Sequence, residues 1–286
     1  MRLIRLGAPG AEKPAALLDD ENYIDLSDVV DDFNEVFFAA DRMAEIAAVV
    51  ASRAGNAQPI RDLRIGAPIA RPHQILCIGL NYSDHAAETG AAVPSEPILF
   101  TKSPNTMQGP NDDLQIPRGS VKTDWEVELG IVIGTRCSYL ADEAAASASI
   151  AGYTIVNDVS EREWQLERGG QWSKGKSAPT FNPTGPWLVT PDEIADVLAL
   201  DMFLDIDGVR KQTGSTSTMV FSPAFIVHYL SQFLTLEPGD LINTGTPPGV
   251  GLGAKPPTYL RGGETLTLGI TGLGAQTQRV LPDPTA

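Results

Sequence analysis

Along most of the chain, apolar residues come in short runs separated by Gly- and Pro-rich breaks. That is the pattern of strands and turns, not of long amphipathic helices. "ILCIGLNY", "PILFTK", "VELGIVIG", "AGYTIVNDVS", "LDMFLDI", "GDLINTG" and "ETLTLGI" each read as a strand. Helical spacing is confined to residues 140–150, 160–168 and 223–234. Residues 71–286 are therefore predicted to form a β-rich sandwich or barrel with function carried on its loops. Residues 1–70 differ: "RLIRLG", "PAALLDD" and "YIDLSD" predict short strands, and "AADRMAEIAAVVASRAG" predicts a helix that stops at a Gly. "RPHQ" at 71–74 marks the boundary, because Pro holds itself and its predecessor extended. The expected organisation is a small N-terminal α/β domain, 1–70, followed by a catalytic β domain, 71–286.

Composition supports a packed core, with 42% hydrophobic and only 20% charged residues. The 36 acidic residues outnumber the 21 basic ones, giving a net charge of −15. That balance argues against nucleic acid and anionic membrane as partners, since both demand basic patches. No apolar run reaches the roughly 18 residues of a membrane span, and "MRLIRLGAPG" lacks a signal-peptide pattern, so the expected location is the cytoplasm. The only cysteines, Cys77 and Cys137, sit in apolar surroundings and are expected as buried thiols.

"GQWSKGKS" at 170–177 matches the phosphate-binding pattern G-x-x-x-x-G-K-[ST]. That pattern works only between an entering strand and an exiting helix, where backbone N–H groups converge on phosphate. Here the lead-in "REWQLERGG" is polar, and Pro179, Pro183 and Pro186 forbid a helix afterwards. The nucleotidase reading fails on context, although Lys176 keeps its interest.

The stretch "DWEVELGIVIG" alternates. Val127, Leu129, Ile131 and Ile133 share one face of a strand, and Glu126 and Glu128 share the other, about 6.5–7 Å apart. Taken alone, the pair fits a solvent-facing edge as well as a cation site. Asp158, ending the next apolar run, fits a turn or helix cap when taken alone. Together the three form an all-oxygen set suited to Mg²⁺, Mn²⁺ or Ca²⁺ and unsuited to Zn²⁺. His85 and Glu88 stand three apart in a polar stretch with helical character, so the carboxylate can orient the imidazole and raise its basicity. An incidental surface pair fits the same spacing. His73 and His228 are expected to be structural, the latter inside an apolar helix. "INTGTPPGVGLG" follows a strand and would bring backbone N–H groups and the Thr246 hydroxyl to an anionic ligand, or form a plain tight turn.

These segments together resemble the fumarylacetoacetate hydrolase family. The likeness is carried by "CIGLNYSDHAAE", "EPILFTK", "GPNDDLQIPRGSVKTDWEVELGIVIG", "AGYTIVNDVSEREWQ", "GGQWSKGKS", "GPWLVT", "LEPGDLINTGTPPGVG" and "GLGAQTQRV". It implies a mixed β-sandwich roll with a smaller N-terminal domain, a β-rich α+β fold, usually assembled as a homodimer. It implies metal ligation by Glu126, Glu128 and Asp158, catalytic roles for Lys176 and the His85/Glu88 dyad, and substrate contacts from Arg162, Gln165 and Thr246. The implied cofactor is Mg²⁺, with Mn²⁺ or Ca²⁺ as alternatives, and the implied partner is a small anionic keto acid. The implied activity is metal-dependent hydrolysis of a C–C bond in a 2,4-diketo acid to pyruvate and a carboxylic acid. Decarboxylation of an oxaloacetate-type acid, or keto–enol isomerisation, is the alternative on the same site. Within the family, "ETGAAVPSEPILF", "ERGGQWSKGKS" and "GTPPGVGLGAKPP" are most similar to bacterial hydrolases of 2,4-diketo-3-deoxy-L-fuconate or L-rhamnonate. One departure is Pro179 in "KSAPTF", where many members carry Asp.

Overall fold

The computed structural model describes residues 1–84 and 92–285. In chain order its main strands are β1 (Arg2–Leu6), β2 (Lys13–Leu17), β3 (Asn22–Asp25), β4 (Gln58–Pro59), β5 (Ile75–Gly79), β6 (Ile98–Lys102) and β7 (Val127–Ile133). They continue with β8 (Ile150–Asn157), β9 (Leu188–Val189), β10 (Asp201–Ile206), β11 (Val209–Ser215), β12 (Leu241–Asn243), β13 (Thr265–Ile270) and β14 (Gly274–Leu281). Helices are short: α1 (Glu35–Ala39), α2 (Met43–Ser52), α3 (Glu143–Ala148), a one-turn α4 (Ser173–Lys176) and α5 (Pro223–Ser231).

The large sheet runs β4-β3-β2-β1-β9-β8-β7-β12-β5-β6, with Ile65–Gly66 also paired to β1. Its strands are antiparallel except β12 and β5, which run parallel. A second sheet, β11-β10-β13-β14, ends on Leu114–Gln115. The fold is thus the β-rich, mixed α+β arrangement that the family resemblance implies.

Strand β7 is buried along its whole length because both its faces are covered. Val127, Leu129, Ile131 and Ile133 meet Met202, Leu204, Leu266 and Leu268 in the core between the two sheets. On the other face Val132 packs with Leu241, Ile75 and Cys77 beneath Phe33, Phe37, Phe38 and Ile46 from the α1–α2 region. Ala151 marks an irregularity opposite Val132/Ile133, where β8 gains a residue. The N-terminal segment thus contributes both neighbouring strands and the lid of this second core. Cys77 and Cys137 are buried and free, as expected. His228 departs from the expectation of a core residue: it is half-buried in the last turn of α5, because the apolar face of that helix is carried by Ile226, Val227 and Leu230.

Candidate active site

The site forms where the helix-covered face of the large sheet runs out of helices. Glu126 just precedes β7 and Asp158 just follows β8, whose terminal residues Val127 and Asn157 are paired. The Asp158 N–H donates to the Glu126 carbonyl at 2.9 Å, and the Glu126 N–H donates to Asn157 Oδ1 at 3.2 Å. Glu128 lies one pleat further in, opposite Val156. One carboxylate oxygen from each of Glu126, Glu128 and Asp158 falls within 4.8 Å of the others, and all three residues are buried. The alternation that fits a solvent-facing edge therefore serves an enclosed acidic cluster.

Three cations surround that cluster. Lys176 Nζ is 2.6 Å from Glu126 Oε2 and 3.0 Å from Asp158 Oδ2, and lies 5.0 Å from the Phe100 ring centre. Its turn approaches closely because of Gly175, where a Cβ would sit 2.5 Å from the Gln165 nitrogen. Arg162 Nε donates to Asp124 Oδ2 at 2.8 Å and Nη1 to Gln165 Oε1 at 3.0 Å. Its Nη2 is 2.7 Å from Glu126 Oε1, close enough for an ion pair but off the line of a hydrogen bond. Lys102, at the end of β6, is fully buried and donates to Asp158 Oδ1 and, at 3.1 Å, to the Val159 carbonyl.

These pairings separate two carboxylates on one strand face. Burial opposes ionisation of Glu126, but Lys176 and then Arg162 overcome it and hold the carboxyl at about 2. Among the described residues Glu128 has only the Gly245 N–H, at 2.8 Å, as a direct donor. Burial, then the charges of Asp158 and Glu126, push it well above the usual carboxylate range. Burial draws the Lys176 ammonium down, yet Asp158 and Glu126 outweigh it and raise it. For Lys102 burial wins, and its ammonium is lowered. A buried carboxylate without an ion-pair partner among the described residues is costly, and a divalent cation at Glu128 would remove that cost. The all-oxygen donor set, free of Cys or His, suits Mg²⁺, Mn²⁺ or Ca²⁺.

Glu126, Glu128, Arg162, Gln165, Lys176 and Thr246 line one cavity of about 220 Å³. Roomier hollows of about 320 and 600 Å³ lie elsewhere and contain none of these residues. Arg162 and Gln165 are set by the π-helical turn Glu163–Glu167, a form that recurs at functional sites. The Thr246 hydroxyl donates to the Val127 carbonyl at 2.9 Å and accepts from Gln212 Nε2 at 2.8 Å, so its hydrogen is already committed inside the protein. Pro179 is exposed and lines no part of this cavity. His85 and Glu88 lie outside the described residues.

Two participants escape sequence reasoning. Lys102 ends the apolar strand "PILFTK", where a terminal lysine looks like a solvated strand end. Asp124 opens "DWEVELG", yet its carboxylate accepts from Arg162, from Gly251 N–H at 2.7 Å and from Leu252 N–H at 2.9 Å. It thereby ties the Gly/Pro loop to the arginine. The one signal that could have flagged Lys102 is its place two residues after Phe100, on the buried face of an alternating strand.

Comparison with known proteins bears on this geometry. The model of the fumarylacetoacetate (FAA) hydrolase C-terminal domain matches residues 74–281. The chain belongs to the fumarylacetoacetate hydrolase family. A Burkholderia multivorans relative, whose name gives it only the provisional class of hydrolase, is 53% identical over 97% of this chain and 98% of its own. The solved fumarylacetoacetate hydrolase of Exiguobacterium antarcticum superposes with TM-score 0.84 at 31% identity, covering 99% of both chains. The 2-hydroxyhepta-2,4-diene-1,7-dioate isomerase of Mycobacterium marinum does so with TM-score 0.76 at 30% identity and the same coverage. At 22% identity and TM-score 0.82, maleylpyruvate hydrolase of Sphingobium sp. SYK-6, solved with manganese and pyruvate, shares the fold over 99% of this chain and 100% of its own.

Proposed function

We propose that the protein is a divalent-metal-dependent hydrolase that cleaves a 2,4-diketo acid to pyruvate and a carboxylic acid. The observation that carries this reading is the buried Glu126, Glu128 and Asp158 cluster with the Lys176 ammonium set against two of its members, bordering the cavity that Glu126, Glu128 and Lys176 line. Membership of a family with hydrolase and isomerase relatives supports it.

Glu126, Glu128 and Asp158 would hold Mg²⁺ or Mn²⁺, with Ca²⁺ as an alternative, and the ion when bound supplies Lewis-acid polarisation of the substrate's keto oxygen. Lys176 presents a desolvated positive charge where negative charge develops on the pyruvate half as the C3–C4 bond breaks. Arg162, fixed by Asp124, positions Gln165 at the cavity wall. From the sequence we assign His85, supported by Glu88, to take the proton from the water that attacks the distal carbonyl carbon. The bonding pair of C3–C4 then stays with the pyruvate half as an enolate, which takes up a proton at C3, while the acyl half leaves as the acid. Isomerisation or decarboxylation passes through the same enolate without an attacking water, and the isomerase relative at 30% identity favours keeping that second reading.

The test is pyruvate release from a panel of acylpyruvates, a 2,4-diketo-3-deoxy sugar acid of the kind the sequence resemblance suggests, and oxaloacetate, with EDTA and with Mn²⁺ or Mg²⁺ restored. Metal-dependent release from at least one diketo acid is expected, and none from any of them defeats the reading. His85→Ala should abolish hydrolysis while sparing decarboxylation; equal loss of both would remove the histidine from its assigned role.

A further inference from the structure

The cavity divides into two chemistries by depth. Its charged and polar lining, Glu126, Glu128, Arg162, Gln165, Lys176 and Thr246, is almost wholly buried. The lining nearer solvent is Leu80, Trp172, Leu252 and Leu166, the last 45% exposed, with the buried Val250 and Phe100 behind. Among the described residues that outer wall adds no side-chain hydroxyl, amide or charge. Two features show that the wall is built, not incidental. Leu80 is held at a φ of 55°, a left-handed backbone that a bulky residue adopts only under constraint. Trp172 packs edge-on against Phe100 with ring centres 5.3 Å apart, and it fits only because position 79 is Gly, where a Cβ would lie 2.6 Å from the indole.

The charge count points the same way. Asp124, Glu126, Glu128 and Asp158 face Lys102, Arg162 and Lys176, and each of these three cations is already paired with a carboxylate. Among the described residues the cavity lining holds no further Lys or Arg, and the sequence of 85–91, "HAAETGA", contains neither. A second carboxylate at the distal end of a substrate would meet no unpaired Lys or Arg along the described lining. Along the described wall a polyhydroxylated chain would exchange water for hydrocarbon with its hydroxyls unpaired.

We propose that the distal half of this site takes an uncharged, apolar acyl group, so that the substrate is a monoanionic acylpyruvate with an alkyl or aryl tail. The assignment rests on the diketo-acid reading above and runs against the sugar-acid tail that the sequence resemblance suggests. It also differs from the dianions after which the isomerase and maleylpyruvate hydrolase relatives are named.

The experiment compares four acids sharing one pyruvate half, with Mn²⁺ present: acetylpyruvate, hexanoylpyruvate, a 2,4-diketo-3-deoxy hexonate and maleylpyruvate. Each methylene moved from water onto an apolar wall is worth roughly fourfold. With four extra methylenes partly covered, kcat/KM for hexanoylpyruvate should exceed that for acetylpyruvate by at least about tenfold, and the hexonate and maleylpyruvate should fall below both. A hexonate or maleylpyruvate rate equal to or above that of hexanoylpyruvate overturns the proposal. Leu166→Lys, at an exposed position that folding tolerates, should lower the hexanoylpyruvate-to-maleylpyruvate ratio at least about fivefold; an unchanged ratio also overturns it. If none of the four acids releases pyruvate, the hydrolytic reading falls, and calorimetric binding of the same four decides the tail: hexanoylpyruvate tightest supports the apolar wall, and either polar acid tightest refutes it.

Discussion

Two ends of one sheet face behave as different materials. At one end Val132, Leu241, Ile75 and Cys77 lie under Phe37, Phe38 and Ile46 and form dry core. At the other, on the same side of the same strand, Glu126 and Glu128 border a cavity. Strand β7 changes nothing in its pleat between them. What changes is the cover: the α1–α2 region shields one end, while the loops after β8 and β12 stand off from the other. A strand buried on both faces can therefore carry charge, provided that its open end faces counter-ions instead of hydrocarbon.

The contrast can be broken most sharply from the covered end. Val132→Asp puts an unpaired charge beneath the α1–α2 region and should cost about 3–5 kcal/mol in denaturant unfolding; a loss below about 1 kcal/mol would mean that this face is not sealed. At the open end, Glu128→Gln should weaken Mn²⁺ binding more than the 10–100-fold that losing an outer partner of a ligand costs. Its metal-free form should unfold no earlier than the parent, because the change removes a buried carboxylate that has no ion-pair partner among the described residues. Lower metal-free stability with unchanged Mn²⁺ affinity would contradict the ligand role. Glu126 makes a poorer probe, since Gln at that position also strands Lys176 and Arg162.

Lys102→Met comes next. It removes one of the two cations that hold Asp158 and should cost about tenfold in Mn²⁺ affinity by titration; an unchanged affinity would leave Lys102 a merely structural lysine. The smallest effect belongs to the covered end, where His73 Nε2 pairs with Glu35 at 2.7 Å on the surface. The Glu35 hydrogen bond raises the imidazole above its ordinary 6.5 against a small opposing effect of burial. A raised folded value means that the pair stabilises the fold below the unfolded pKa and loses that contribution as pH rises through the folded one. NMR titration should show His73 falling back in Glu35→Gln, and the stability difference between the two proteins should vanish in mildly alkaline solution.

The strand pattern carried the architecture well because β-rich cores write themselves as short apolar runs. "VELGIVIG" and "AGYTIVNDVS" became β7 and β8 with close to the expected limits. The carboxylate cluster was legible for the same reason: two Glu in an otherwise buried strand need an explanation. Lys102 and Asp124 were not legible, since each acquires its meaning only when sheet register brings β6 beside Asp158 and folds the Gly/Pro loop over Arg162. The Thr246 hydroxyl reads only in part, because it borders the cavity while its hydrogen is taken inside the protein. A hydroxyl in a Gly/Pro loop looks free for a ligand, but the loop presses it onto the Val127 carbonyl. The apolar outer wall was invisible as well, because Leu80, Leu166, Trp172 and Leu252 come from four separate loops and turns with no shared motif.

The π-helical turn Glu163–Glu167 has a consequence for how such a site can diversify. It sets Gln165 in the deep wall and the adjoining Leu166 at the rim, two neighbours along the chain at opposite depths of the cavity. A wide turn of this kind holds one more residue than an ordinary helical turn. Deleting that residue would swing every later side chain about a quarter-turn around the axis, moving the rim position while leaving Arg162 and the acidic cluster where they are. Loop length, more than amino-acid identity, is then the cheapest variable by which evolution or an engineer can re-aim this cavity at a new tail.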